Sequence, residues 1–75
     1  MSELEWIDVM DSARVNAMAY DAEAEAIYVR FTERELEWCY EECPPHVWEE
    51  FSNPAQSKGQ YIHRVLNHKP HHRHE

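Results

Sequence analysis

Two stretches of the chain alternate apolar and polar residues with a period of two. Ile27, Val29 and Phe31 interleave with Ala26, Tyr28 and Arg30, and Leu36, Trp38 and Tyr40 interleave with Glu35, Glu37, Cys39 and Glu41. Such alternation predicts strands of an antiparallel sheet with one face covered and the other wet. A third strand is expected over residues 14–20, where Val15, Met18 and Tyr20 break the strict period and imply a bulge near Asn16 and Ala17. Asp21 to Glu25 and Thr32 to Glu35 are short enough for hairpin connections, although neither carries the Asn-Gly or Gly-Gly pair that tight hairpins prefer. After Cys43 the period becomes helical. Pro44 and Pro45 suit a first helical turn, Val47, Trp48 and Phe51 share one face, and Asn53-Pro54 ends the segment. Ser57-Lys58-Gly59-Gln60 has the form of a capping box, followed by an apolar stripe of Tyr61, Ile62, Val65 and Leu66 that Asn67 and Pro70 terminate. The remaining residues read as a loose tail. The expected architecture is α+β: a three-stranded antiparallel β-meander followed by two short helices packed on one sheet face.

Composition narrows the class. Seventy-five residues allow one domain, and a chain of this size buries only about 60% of the surface exposed when unfolded. No apolar run approaches the roughly 20 residues of a membrane span, and no basic-then-apolar leader opens the chain, so a soluble cytoplasmic domain is expected. Two cysteines, Cys39 and Cys43, are too few for a disulfide framework and fit a reducing compartment. The formal net charge is -8, which argues against a protein that coats DNA through Lys and Arg. That charge is uneven: residues 1–55 carry a net of -11, whereas residues 56–75 carry +3 and five of the six histidines.

The chain resembles the KTSC domain, a small module that takes its name from its place at the C-terminus of some lysyl-tRNA synthetases and also occurs alone. The matching pieces are Ser12 to Val15, Ala19-Tyr20-Asp21, the Ile27 to Phe31 strand, Trp38 and Tyr40, Cys43-Pro44, Val47-Trp48 and, most specifically, Ala55-Gln56-Ser57-Lys58-Gly59-Gln60-Tyr61-Ile62. This resemblance divides the chain into an N-terminal extension (1–8), a KTSC-like domain (9–69) and a His-rich basic tail (70–75). Departures from the family pattern are Ala13 in place of a second serine, Glu33 and Arg34 where a turn glycine is usual, Cys43 for valine and Trp38 for tyrosine.

Candidate chemistry centres on Ser57, Lys58 and Gly59. A helix start presents free amide donors, Lys58 adds a charge suited to phosphate, and Tyr61 and Arg64 follow one turn on, so these five residues form an anion or nucleic-acid site by hypothesis. The competing reading is structural, with Ser57 as a cap, Gly59 relieving close packing and Lys58 solvated. Ser12 has no base placed beside it and fits a turn-closing hydroxyl better than a nucleophile. Cys39, Cys43 and His46, with His63 or a tail histidine as a fourth ligand, could make a zinc site but lack a standard zinc spacing, and no metal or other cofactor is expected. The tail histidines His68, His71, His72 and His74 make a second cluster with metal affinity of the adventitious kind. Tyr28, Trp38, Tyr40, Trp48 and Tyr61 could stack bases, but Glu23, Glu25, Glu35, Glu37 and Glu41 disfavour an RNA-binding sheet, leaving an aromatic core as the better reading. Trp6 could anchor a partner or fold back as an extra edge strand.

The combined expectation is a non-enzymatic interaction module with no membrane partner. Its ligand is RNA or a phosphate at the Ser57-Lys58-Gly59 helix start or, alternatively, another protein or a second copy bound through the acidic sheet face or Trp6.

Overall fold

The computed structural model describes residues 4–10 and 12–74. Its described strands are β1 (Ile7–Asp8), β2 (Val15–Asp21), β3 (Ala26–Phe31), β4 (Glu37–Tyr40) and β5 (His71–His74), ordered β1-β2-β3-β4-β5 in one sheet with every neighbouring pair antiparallel. The three expected strands form the middle of this meander. The register between β2 and β3 slips between Val15 and Ala17, so the expected bulge falls at Asn16.

The sheet has five strands rather than three because both ends of the chain join it. β1 pairs Ile7 with Met18 and Asp8 with Ala17, extended by the Val9 amide donating to Asn16 O at 2.9 Å. The tail expected to be loose is a strand: His71, His72, Arg73 and His74 oppose Tyr40, Cys39, Trp38 and Glu37. Nothing apolar advertises this strand. It is held by backbone pairing, by the Glu41 amide on Pro70 O at 2.7 Å, and by ring contacts of His71 with Trp38 and Tyr40 and of His74 with Tyr28.

Turn chemistry replaces the absent glycine pairs. Asp21 Oδ1 accepts from the amides of Glu23 and Ala24, and Glu25 closes the β2–β3 turn at φ 51. In the β3–β4 turn Arg34 sits at φ 60, the left-handed conformation for which glycine is favoured.

Helix α1 (Pro45–Ser52) starts on Pro44-Pro45 and stops at Asn53, as expected, and α2 (Lys58–Arg64) follows after a five-residue loop. α2 is shorter than its apolar stripe: Val65 leaves helical geometry at φ -119, and Leu66–His68 forms a separate 3-10 turn. Both helices pack on one face of the sheet. Val15, Ile27, Val29 and Tyr40 meet Val47, Phe51, Tyr61, Ile62 and Leu66 there, all buried. Tyr20 ties α1 down twice, stacking on Trp48 at 5.3 Å between ring centroids and donating to Cys43 O at 2.7 Å.

The opposite face is less acidic than its sequence implies. Glu37 is engaged by Arg30, whose Nε and outer nitrogen lie 2.9 and 2.8 Å from Oε2, and Glu41 lies 3.3 Å from His72 Nδ1. Trp6 is half-buried, with the Arg30 guanidinium 4.4 Å from its ring centre and Tyr28 edge-on beside it. It packs against the sheet immediately before the added edge strand β1.

Candidate functional site

The segment leading into α2 is built around a lysine. Asn53 Oδ1 accepts from the Ala55 amide and Asn53 O from the Gln56 amide, both at 2.9 Å, so the chain curls tightly after α1. The curl aims two carbonyls inward, and Lys58 Nζ donates to Asn53 O at 2.9 Å and to Gln56 O at 3.2 Å. The ammonium also lies 5.6 Å from the centre of the Phe51 ring, and Lys58 is only 6% exposed. These contacts tie the loop to α1. Ser57 caps α2, its Oγ accepting from the Gln60 amide at 3.4 Å.

Across from this helix start stands the head of β2. Ser12 Oγ accepts from the amides of Arg14 and Val15 at 3.3 and 3.2 Å, the turn-closing role its position implied. Thr32 fastens the same segment to β3, donating from Oγ1 to Ala13 O and from its amide to Arg14 O, both at 2.9 Å. Arg14 then reaches across: its Cδ lies 3.5 Å from where a Cβ on Gly59 would be, and its guanidinium carbon 6.0 Å from the Phe31 ring centre. An alanine at position 59 would make only an ordinary contact there, so close packing does not require the glycine.

Between these two walls is a cleft of about 780 Å³. Arg14, His63 and Arg64 face it with exposed side chains, alongside the hydroxyls of Ser12 and Ser57 and the Gln60 amide. No carboxylate lines it among the described residues, in a chain whose net charge is -8.

Of the five residues nominated from sequence, Ser57, Gly59 and Arg64 line this cleft, and Lys58 does so with its ammonium turned inward to carbonyls. Tyr61 does not belong to it. That residue is buried in the core, and its hydroxyl donates to Glu50 Oε1 at 2.7 Å; burial, reinforced by this bond, raises the phenol's pKa. Sequence reasoning did not place Arg14, Ser12, Gln60 or His63 in the anion site. The available signal was that the segments Ser12 to Val15 and Ala55 to Ile62 both match the family pattern, and the fold places them on opposite walls of one cleft.

Cys39, Cys43 and His46 do not converge on a metal site. Among the described residues no three His, Cys, Asp or Glu side chains are grouped to hold an ion. Cys43 is enclosed in the core, where its thiol lies 3.4 Å from Tyr40 O and Glu41 O, and burial pushes both cysteine pKa values up. Neither thiol is therefore activated as a nucleophile. No described helix is long and apolar enough to cross a membrane.

A five-stranded antiparallel meander with a short helix pair on one face, closing a cleft between the first long strand and the second helix, defines a small α+β module. The chain belongs to the KTSC domain family, whose family model matches residues 11–69. It is also similar to the crystal structure of a KTSC domain protein from Yersinia pestis, with a TM-score of 0.85 and 19% identity over 97% of this chain and 100% of that one. No curated protein gives a significant match to the chain. The family's molecular function is not established, so the cleft must be read from its own chemistry.

Proposed function

We propose that this KTSC domain is a non-enzymatic binding module that takes phosphate groups of a nucleic-acid strand in the cleft between the head of β2 and α2. The observation that carries this reading is the cleft's lining: Arg14, Arg64 and His63 with the polar side chains of Ser12, Gln56, Ser57 and Gln60, and no carboxylate among the described residues, on an otherwise acidic molecule. Guanidinium groups match phosphate through paired N–H donors, and two of them on opposite walls suit a phosphate held between. The surrounding negative charge sharpens selection, because a strand lying elsewhere on the body is repelled. The reading rests on these side chains and not on the α2 amides, one of which is already taken by Ser57.

The alternative, a protein-binding surface at Trp6 or the acidic face, loses support where Arg30 covers Trp6 and pairs with Glu37. An amide-shift titration with a short single-stranded RNA decides between them. Shifts at residues 12–14 and 57–64 that weaken with salt, with a slope of about -0.7 per phosphate engaged, are expected. Absence of any response at those residues at low salt would sink the proposal.

A further inference from the structure

The helices leave part of the core face of the sheet uncovered. A second groove, of about 450 Å³, opens there and is lined by Phe31, Leu36, Trp38 and Tyr40, with His71 of β5 and Asn67 of the 3-10 turn beside them. It adjoins the cationic cleft: Ala13 and Arg14 line both. The Arg14 stem lies against Gly59 on the cleft side, and its guanidinium approaches the Phe31 ring on the groove side.

The chemistry of the groove differs from that of the cleft. His71 is held by ring contacts at 5.6 Å from Trp38 and 5.3 Å from Tyr40, and its Nδ1 lies 2.8 Å from Lys69 O. Phe31 and Trp38 are only half-buried, so a flat ligand has aromatic surface to stack on. Asn67, exposed at the groove, offers a donor and an acceptor together. Glu33 is the single carboxylate in the described lining. It repels phosphate yet accepts hydrogen bonds from an exocyclic amine, so the two compartments are polarised in opposite senses. The groove's volume falls in the range of small-ligand sites.

We propose that this groove takes the base of a nucleotide whose phosphate lies in the cationic cleft, with Arg14 at the boundary between the two. The nucleotide is either free or one unit of a single-stranded RNA. The phosphate half of this inference rests on the reading of the cleft given above; the base half rests on the aromatic groove alone.

Four probes test it by calorimetry and amide-shift mapping: inorganic phosphate, ribose 5-phosphate, adenosine 5′-monophosphate and a short oligoadenylate. The monophosphate should bind about tenfold or more tightly than ribose 5-phosphate, the worth of one base stacked on an aromatic side chain. It should also shift Phe31, Leu36 and Asn67, which ribose 5-phosphate leaves in place. Trp38→Leu should bring its affinity down to that of ribose 5-phosphate without changing the latter. Asn67→Ala, at an exposed position outside the core, should weaken the monophosphate in the same sense and serves if the Trp38 variant fails to fold. Oligoadenylate binding more tightly than the monophosphate supports the proposal with an RNA strand as the source, and equal affinity supports it with a free nucleotide. Equal affinity for the monophosphate and ribose 5-phosphate, or shifts confined to cleft residues, would overturn the base site and leave the cleft reading standing. Failure of all four probes would overturn both.

Discussion

Lys58 separates a structural role from a ligand-binding one, and removing it gives a measurable answer. Its ammonium donates to Asn53 O and Gln56 O and lies over Phe51, with the residue 6% exposed. Hydrogen bonds to a charged group are worth about 1.5–3 kcal/mol each, but Asn53 is exposed and Gln56 half-buried. Water can therefore take over those carbonyls, which reduces each bond to about 1 kcal/mol. The ring contact adds about 0.5–1 kcal/mol. Lys58→Met, which keeps the apolar stem but loses all three ammonium contacts, should then cost about 2–3 kcal/mol, and Lys58→Ala, which gives up the stem as well, at least as much. For a domain of this size the alanine variant should melt roughly 10–20 °C lower. Circular dichroism during thermal and urea unfolding reads both variants, and a phosphate titration of the folded Lys58→Met protein should match the parent. A Lys58→Ala protein that melts with the parent but no longer binds phosphate would refute the assignment of this lysine to structure.

Further outcomes follow from other parts of the fold. Arg34→Gly should stabilise the domain by about 0.5–1 kcal/mol, since it relieves a side chain held at φ 60 while adding some unfolded-state entropy; an unchanged or lower urea midpoint would contradict this. Deleting residues 70–75 removes four cross-strand pairs, each worth about 0.2–1 kcal/mol, so a loss of about 1–3 kcal/mol is expected where a loose tail would cost nothing. Burial pushes the Tyr28 and Tyr40 phenols from their ordinary value of 10.0 up to about 12, with a bond to Cys39 contributing for Tyr28. Their folded pKa lies above the unfolded one, so their contribution is fully present below about pH 10 and is lost as pH rises toward 12. Unfolding followed across that window should show falling stability, with a shallower decline in Tyr28→Phe. Native Cys39 and Cys43 should react with a thiol reagent only as fast as the chain opens, and prompt modification in native buffer would contradict their burial.

The legible part of this fold is the part written in apolar periodicity. Ile27, Val29, Trp38 and Tyr40 announce β3 and β4, and Val47 and Phe51 announce α1, because each buries a face against the others. β5 carries no such signal: His71 to His74 are held by backbone pairing and by rings contributed from β3 and β4, partners that only the fold supplies. Val65 fits a helical stripe yet ends α2, since the following turn must bring the chain back to the sheet edge.

The site was half legible for a related reason. Ser57 and Gly59 lie in the segment that matches the family most specifically, with Arg64 just beyond it, and the fold keeps all three in the cleft. Lys58 reads from the sequence as a charge open to phosphate or to solvent, because no pattern shows the loop after α1 turning two carbonyls toward it. Arg14 was counted with the acidic body, although the meander carries the head of β2 to the basic end of the molecule. Charge read along the chain therefore missed half of the guanidinium pair on which the cleft's chemistry depends.

That pair offers the most direct measurement. The affinity of a short single-stranded RNA should be followed against salt for the parent, for an Arg14→Gln/Arg64→Gln double variant, and for Arg73→Gln on β5 as a control outside the cleft. The double variant should keep its fold, bind more weakly and lose a salt slope of about 1.4, the contribution of two phosphate contacts to a single strand. The control should follow the parent. A double variant that binds as the parent does, or a loss of binding confined to Arg73→Gln, would contradict the assignment of the cleft as the anion site.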